Sequence, residues 1–418
     1  MALQRIQNKL ASQYLQNVGW LGIAELFNRI FRLGTTVTLA RVFTETDYGL
    51  TAIIYTTFEI ASVFTLRQGI SGKIIQTDPE QLEEVCKTAY WLNWIACIGI
   101  FLLQGLAAFP IAAALGDSHL IGPLWGVATI YLMFPTFMVQ SALILRENRM
   151  QVKALCNALQ SLISNGVTIV MALLGFGIWS IVAGMVLSTP VWMIVHLKSH
   201  PWRPPQTLTF TNWRGVVSFG GNLLLVELLH KIRSSLDYLI VGPVLGLEQL
   251  GLYFFAFNAG SGITTNVVYT LIGPLFPKFC EARSDLQRLR QRYWDSLKLI
   301  SLVIGAMVLL QSTLAPFYVP IVFGAKWTPA IPILILICGS VLPRAYGWAA
   351  AALLNAQDKT HLTLGTDLGF TLLFALALAI AVQFGLLGVA IAVLATHLCS
   401  LIPLTLWVDR YSFQRPAP

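Results

Sequence analysis

Leu368 to Val408 reads LGFTLLFALALAIAVQFGLLGVAIAVLATHLCSLIPLTLWV and contains no Asp, Glu, Lys or Arg. A helix needs about 20 apolar residues to cross the hydrocarbon core of a bilayer. This stretch is therefore long enough for two crossings, and it predicts membrane spans near residues 361–384 and 386–408 that are separated at Phe384-Gly385.

The whole chain has the same character as this stretch. Of its 418 residues, 56% are hydrophobic and only 11% are charged, and its mean hydropathy is +0.70. Soluble domains carry about 25% charged residues, so the composition excludes a cytosolic enzyme, a nucleic-acid binder and a disordered scaffold. We predict an all-α integral membrane protein.

Apolar stretches between polar breaks predict twelve spans. The first six lie near 14–40, 48–75, 88–115, 119–144, 154–175 and 177–197, and the second six near 216–241, 249–275, 297–322, 328–353, 361–384 and 386–408. With this count, 19 of the 27 Lys and Arg residues lie on the side of the termini, and only Arg41 and Lys326 lie in loops on the other side. Because cytoplasmic loops are rich in basic residues, we expect both termini in the cytoplasm.

The two halves of the chain repeat one plan. VFTETDYGL at 42–50 aligns with VLGLEQLGL at 244–252, which lies 202 residues later, and at the same offset Glu25 aligns with Glu227 and Arg29 with Lys231. Each half would hold six spans, an even number, so the halves would share one orientation in the membrane. We predict an N-terminal six-helix bundle at 1–200, a cytoplasmic linker at 201–215 and a C-terminal six-helix bundle at 216–418.

Charged residues inside the predicted spans indicate a functional site. They are Arg29, Arg32, Arg67, Lys231, Arg233, Arg344, Glu25, Glu59, Glu227, Asp237 and Asp367. Each would cost about 2.5–3.5 kcal/mol if it faced lipid, so we expect these side chains to face protein or water. The polar residues of the first and seventh spans each fall on one face of their helix, and a hydrated cavity between the two bundles would accommodate both faces.

Cations fixed in such a cavity would suit an anionic cargo. The candidates for substrate binding are Arg29, Arg32, Lys231, Arg233 and Arg344, and the candidates for orienting these cations or binding a coupling ion are Glu25, Glu227 and Asp237. A structural alternative remains open, because Glu227 with Lys231, and the equivalent pair on the first span, are i,i+4 pairs that would neutralise each other. For Arg67 and Glu59 the favoured interpretation is structural, with side chains that reach towards water at the cytoplasmic ends of helices.

Other motifs carry less information. The triplet Glu45-Thr46-Asp47 resembles the paired acids of membrane glycosyltransferases that use polyprenyl-linked sugars, but every predicted external loop is only a few residues long. We therefore expect a transporter rather than an enzyme, and we expect no metal site and no nucleic-acid partner. His196 and His200 flank a predicted cytoplasmic loop, where we expect both to be solvated.

Short motifs follow one another in a fixed order along nearly the whole chain. They include Leu39-Ala40-Arg41-Val42-Phe43 and Asp47-Tyr48-Gly49-Leu50 in the first half, and LDYLIVG at 236–242 and GPLFP at 273–277 in the second. In this order they resemble the polysaccharide transporter branch of the multidrug, oligosaccharidyl-lipid and polysaccharide (MOP) exporter superfamily.

The resemblance implies two pseudo-symmetric six-helix bundles around a central cavity, as in MATE-type transporters. It also implies a flippase that moves undecaprenyl-pyrophosphate-linked oligosaccharide units across the bacterial inner membrane by alternating access. The implied partners are this lipid-linked substrate, membrane lipids, and the glycosyltransferases and polymerase of polysaccharide synthesis, with Na+ or H+ as a conceivable coupling ion. The alternative is a drug/cation antiporter of the same superfamily, in which the acidic residues would bind the cargo.

Overall fold

The computed structural model describes residues 31–204, 207–211 and 213–413, and within these residues every regular element is helical. We number the α-helices in chain order and leave short 3-10 and π turns unnumbered. They are α1 (31–42), α2 (Glu45–Val63), α3 (Arg67–Gln76), α4 (Leu82–Leu115), α5 (Ile121–Met133), α6 (Pro135–Arg146), α7 (Met150–Leu173), α8 (Trp179–Ser199), α9 (Trp213–Leu245), α10 (Leu247–Ile272), α11 (Leu275–Cys280), α12 (Leu286–Tyr318), α13 (Ile331–Ala356), α14 (Thr360–Ala381) and α15 (Gly385–Phe413).

Eight helical stretches of the described residues are long and apolar enough to cross a membrane. The count rises to nine if Ser118–Met133 and Pro135–Arg146, which meet at a bend of 53°, form one span. The last of the eight stretches, Thr360–Phe413, contains both α14 and α15. The predicted span at 249–275 coincides with α10, which is not among the eight, and much of the span at 14–40 lies outside the described residues. The count of twelve therefore stays a prediction.

Large apolar side chains cover the outside of several helices. Leu103 on α4 is 67% exposed, and Leu302 on α12 and Leu372 on α14 are each 72% exposed. In water, each such side chain would forgo about 1.5–3 kcal/mol of burial free energy. Lipid tails remove that cost, so these surfaces fit a multi-pass membrane protein.

Equivalent helices begin at the offsets that the sequence comparison predicts. The first residues of α2 and α10, Glu45 and Leu247, are 202 residues apart. Gly177 and Gly385, which lie at the starts of α8 and α15, are 208 residues apart and both have positive φ angles, of 52° and 76°. Glycine adopts such angles without a steric penalty, so the same residue allows the same sharp entry into the last helix of each half.

The acidic triplet at the start of α2 contributes to helix capping. The backbone N–H of Asp47 donates to Thr44 Oγ1 at 3.1 Å, and the backbone N–H of Thr44 donates to Asp47 Oδ2 at 2.9 Å. This reciprocal capping box satisfies two amide donors at the helix N-terminus. Asp47 therefore has a structural role in this position.

The second predicted span is broken into α2 and α3. Leu66 has a φ of 55°, in the left-handed region that costs a non-glycine residue about 1–2 kcal/mol. This residue interrupts the helix, and α3 begins at the next position, Arg67.

The broken segment is held firmly in place. The Arg146 guanidinium donates to the carbonyl oxygens of Ile74 and Thr77 at 2.6 and 2.5 Å, which satisfies acceptors at the C-terminus of α3. Near its other end, Gly69 packs so closely against α9 that an added Cβ would lie 2.4 Å from the Cα of Gly220. The position of α3, and of the Arg67 backbone, is therefore fixed at both ends.

The chain divides into two compact units between Ser235 and Leu236. The division falls inside α9, whereas the sequence predicts a linker at 201–215. We call the described residues up to Ser235 the N-terminal unit and those from Leu236 onward the C-terminal unit. In the N-terminal unit a buried apolar cluster joins α3, α4 and α6, and in the C-terminal unit another joins α10 to α13 with α15.

Candidate functional site

The predicted site residues are distributed over both units. Glu25 and Arg29 lie outside the described residues. The N-terminal unit contains Arg32, Glu227, Lys231 and Arg233, and the C-terminal unit contains Asp237 and Arg344. Each group is described here within its own unit.

On α9, Glu227 and Lys231 bind residues of other helices rather than each other. Lys231 Nζ lies 3.0 Å from Glu59 Oε2 on α2, and Gln68 Nε2 on α3 donates to Glu227 Oε1 at 3.1 Å. The i,i+4 ion pair that the spacing suggests does not form. The side chains of Lys231 and Glu59 stay 31% and 49% exposed, so the pair is accessible rather than sealed. Glu59, which the sequence assigned to a water-facing helix end, is thus the partner of a predicted site residue.

The N-terminal unit encloses a cavity of about 170 Å³, which we call the N-terminal cavity. Its wall is largely aromatic, with Phe58 from α2, Phe137 from α6 and Trp192 from α8, together with Phe134 at the bend between α5 and α6. Its polar lining comes from Arg67, Gln160 and Thr189. Pockets that bind small molecules typically combine apolar walls with a few polar groups in this way.

Arg67 contributes the positive charge of this cavity. Its guanidinium carbon lies 5.2 Å from the centroid of the Trp192 ring and 6.0 Å from that of Phe134, within the range of cation–π attraction. Arg67 is also the first residue of α3, and the N-terminal end of a helix favours negative charge. The sequence assigned Arg67 a structural role at a helix end, whereas the structure places it in the lining of a cavity.

Three further lining residues escaped the sequence analysis. Gln160 donates through Nε2 to Ser188 Oγ at 3.0 Å, and Thr189 donates to the carbonyl oxygen of Met185 at 2.9 Å. The third, Trp192, lies one helical turn beyond Ser188. A polar stripe along α7 gives a signal that could have found this site: Asn157, Gln160, Ser161, Ser164, Asn165 and Thr168 recur at helical spacing.

Behind the aromatic wall, His196 is buried, so the expectation that it is solvated was wrong. It is 1% exposed and stacks on Phe137 and Trp192 with ring centroids 5.5 Å apart in each case. Its Nδ1 lies 2.7 Å from the carbonyl oxygen of Trp192. A carbonyl oxygen only accepts hydrogen bonds, so Nδ1 carries the proton, and the imidazole holds the indole ring in position.

The C-terminal unit contains a buried carboxylate. Asp237 on α9 is 6% exposed. Its Oδ2 accepts a hydrogen bond from the hydroxyl of Tyr253 at 2.8 Å, and its Oδ1 accepts one from the backbone N–H of Tyr238 at 3.0 Å. Tyr253 is itself fully buried. Asp237 is therefore oriented by its neighbours rather than free to follow a cargo.

Arg344 on α13 is the cation near this carboxylate. Its guanidinium carbon lies 5.7 Å from the centroid of the Trp348 ring and 5.9 Å from that of Phe257. It attracts Asp237 electrostatically without forming a direct ion pair. The predicted site residues Asp237 and Arg344 thus share one neighbourhood, with opposite charges that balance each other.

Solved structures of related fold cover nearly the whole chain. A structure titled "Lipid II flippase MurJ, inward closed conformation" matches with a TM-score of 0.75 at 15% identity, covering 94% of this chain and 88% of that one. An inward-facing MATE multidrug resistance transporter of the MOP superfamily matches with a TM-score of 0.73 at 15% identity, covering 92% and 94%. These likenesses show that the chain has the fold of MOP-superfamily transporters.

Sequence relatives come from bacterial polysaccharide synthesis. The teichuronic acid biosynthesis protein TuaB of Bacillus subtilis is 23% identical over 90% of this chain and 78% of its own length. The lipopolysaccharide biosynthesis protein WzxC of Escherichia coli is 23% identical over 94% of this chain and 80% of its own length. The family model described as "Polysaccharide biosynthesis protein" matches residues 38–332. The chain therefore belongs to the polysaccharide biosynthesis protein family.

Proposed function

We propose that this chain is a flippase that carries undecaprenyl-pyrophosphate-linked oligosaccharide units across the bacterial inner membrane for polysaccharide synthesis. Family membership and the names of the relatives support the substrate class. The observation that carries the proposal furthest is the N-terminal cavity, because Arg67 gives it a positive charge among aromatic side chains. An anionic, sugar-containing cargo suits both features.

The proposed architecture has twelve spans in two six-helix bundles, at 1–200 and 216–418, joined by a linker at 201–215. The nine candidate spans of the described residues support it, as does the presence of two helices in the last of them. The repeated helix starts at offsets of 202 and 208 residues support two related halves. With an even number of spans, both termini lie in the cytoplasm.

In this proposal, the substrate pyrophosphate and acidic sugars bind Arg29, Arg32, Lys231, Arg233 and Arg344. Glu25, Glu227 and Asp237 orient these cations or bind Na+ or H+ if a gradient drives transport. The exposed fraction of Lys231 supports a cargo role, since a purely structural ion pair has no need of access to water. Rocking of the two bundles would expose these groups to each side of the membrane in turn while the polyprenyl tail stays in lipid.

The alternatives are less consistent with the charges. A drug/cation antiporter would bind a positively charged cargo, which Arg67 in the N-terminal cavity would repel. A polyprenyl-dependent glycosyltransferase would need Asp47 as an acid or base, and here this carboxylate accepts the capping hydrogen bond of α2. Asp47→Asn would abolish sugar transfer if the enzyme interpretation were right, whereas we expect only a small loss of stability.

The test of the proposal is export in a bacterial strain that lacks its own flippase. We expect the chain to restore surface polymer, and the double variant Arg29→Ala with Lys231→Ala to lower export about ten-fold or more, because a lost charge-assisted hydrogen bond costs about 1.5–3 kcal/mol. Lys153→Ala, which removes an exposed cation of α7, is the matched control and should export normally. Normal export by a well-expressed double variant would contradict the binding assignment.

A further inference from the structure

We infer that the N-terminal cavity binds one acidic pyranose residue of the oligosaccharide, with Arg67 holding the carboxylate of that sugar. The inference rests on the proposed function, and it adds a distinct sugar subsite within the N-terminal unit. Three properties of the cavity support it: its size, its lining and its charge.

The size fits a single sugar ring. A cavity of about 170 Å³ has the volume of about six water molecules, at roughly 30 Å³ each in the liquid. A pyranose with its ring substituents displaces a similar number. A whole oligosaccharide or a drug-sized ligand needs a pocket of about 300–1,000 Å³, so the cavity would select one residue of a longer chain.

The lining fits the two surfaces of a pyranose. A sugar ring presents apolar C–H groups on its faces and hydroxyl groups around its edge. The aromatic wall offers the carbon surface that such faces contact. Gln160 and Thr189 offer hydrogen-bonding groups for the hydroxyls, and Thr189 Oγ1, which donates to Met185, still has lone pairs that accept.

The charge fits one carboxylate. Arg67 is the one ionised side chain among the residues that line the cavity. The carboxylate of Glu227 attracts it electrostatically but accepts a hydrogen bond from Gln68, and it makes no ion pair with Arg67. A planar guanidinium matches the two oxygens of a carboxylate. A pyrophosphate carries two or more negative charges and would need more than one cation, so it fits this cavity poorly.

Binding of two matched sugars to the purified full-length chain in lipid nanodiscs tests the inference. The probes are methyl glucuronide and methyl glucoside, which differ in the carboxylate, titrated by saturation-transfer NMR. We expect the glucuronide to bind about ten-fold more tightly, as one charge-assisted hydrogen-bonding contact would provide. Arg67→Gln should abolish this preference and leave glucoside binding unchanged. Lys73→Gln, which removes a cation from the same helix outside the cavity, should preserve the preference.

Several outcomes would overturn the inference. They are equal binding of the two sugars to the unaltered chain, absence of binding, or an undiminished preference in Arg67→Gln. If Arg67→Gln misfolds, Arg67→Lys provides a second test, because it keeps the charge and should retain most of the preference. Loss of the preference in a folded Arg67→Lys variant would show that charge does not govern selection, which contradicts the inference.

Export measurements separate this inference from the proposed function. In flippase-deficient strains that make either an acidic or a neutral polymer, Arg67→Gln should lower acidic export and spare neutral export. An equal loss of both would show that Arg67 only supports the fold, which overturns the subsite. If the unaltered chain restores neither polymer, the proposed flippase function fails, and the sugar titrations then judge the cavity on their own.

Discussion

Two arginines, one in each unit, occupy aromatic surroundings that look alike and differ in charge balance. Arg67 lies over Trp192 and a phenylalanine ring, and Arg344 lies over Trp348 and a phenylalanine ring, all at 5.2–6.0 Å. Arg67 lines an open cavity with its charge unmatched by any lining residue, whereas Arg344 is near the buried carboxylate of Asp237. The N-terminal unit is thus prepared for an external anion, and the C-terminal unit has one of its own.

The two prolines at equivalent positions help to explain this difference. Pro135 and Pro343 are 208 residues apart, the same offset that separates Gly177 from Gly385. At Pro135 the chain bends by 53°, and Phe134 and Phe137 on either side of the bend line the cavity. At Pro343 the helix α13 continues without a break. The same residue type opens space in one unit and leaves the other closely packed.

The largest expected effect comes from the glycine contact that fixes α3 and with it Arg67. In Gly69→Ala the new Cβ would meet the backbone of Gly220 at 2.4 Å, which cannot rotate away. In Gly260→Ala of the C-terminal unit it would meet side-chain atoms of Leu334 and Cys338 at 2.9 and 3.1 Å, which can shift. We expect Gly69→Ala to lower the free energy of unfolding by about 3 kcal/mol and Gly260→Ala by about 1 kcal/mol, as overpacking typically does.

Thermal unfolding of the purified chain measures both effects. The matched control is Gly221→Ala, where an added Cβ meets nothing within 4 Å. This control should be neutral or slightly stabilising, since Ala favours a helix by about 1 kcal/mol over Gly. If Gly69→Ala unfolds at the same temperature as the control, the close approach of α3 and α9 is wrong, and so is the fixed position of Arg67.

The next effect sharpens the contrast in charge balance. Asp237→Asn keeps the shape of the buried side chain but leaves Arg344 without its nearby negative charge. We expect polymer export to fall about ten-fold, because an uncompensated charge in a low-dielectric interior costs several kcal/mol. Adding Arg344→Gln should recover part of the stability, with a coupling free energy of about 1–2 kcal/mol in a double-mutant cycle.

The control for this change is Asp367→Asn, which neutralises an exposed carboxylate of α14 and should leave export intact. If the effects of Asp237→Asn and Arg344→Gln simply add, the two residues do not balance each other. The description of a self-compensated C-terminal unit would then have to be abandoned.

The sequence was sufficient for the fold class and for the matched helix starts. Apolar periodicity and composition decide whether a helix lies in lipid, and both are local properties that can be read from one chain. The turn at Gly385 is equally local, because only glycine enters a positive φ readily. The break at Leu66 had no such marker, since nothing in its residue type indicates a left-handed backbone.

The candidate site was harder to predict because its contacts join distant segments. Gln68 contacts Glu227 across 159 residues, and Lys231 contacts Glu59 across 172. Helical spacing favoured the pairing of Glu227 with Lys231 instead, because sequence spacing reports only neighbours on one helix. Arg67 was undervalued for the same reason, as its surroundings come from α6 and α8, which follow much later in the chain.

The smallest effect separates structural from cargo-binding cations, and it concerns the ion pair of Lys231 with Glu59. The pair is 3.0 Å long, but its side chains are 31% and 49% exposed, and exposed pairs contribute only about 0.2–1 kcal/mol. We therefore expect Lys231→Gln and Glu59→Gln each to leave thermal stability nearly unchanged, with a coupling free energy of about 0.5 kcal/mol. If Lys231 binds cargo, its variant alone should lose export, and Glu59→Gln should retain it because the cation remains. Equal losses of export and a coupling above about 2 kcal/mol would instead mark the pair as a structural lock, and Lys231 would then leave the set of substrate-binding residues.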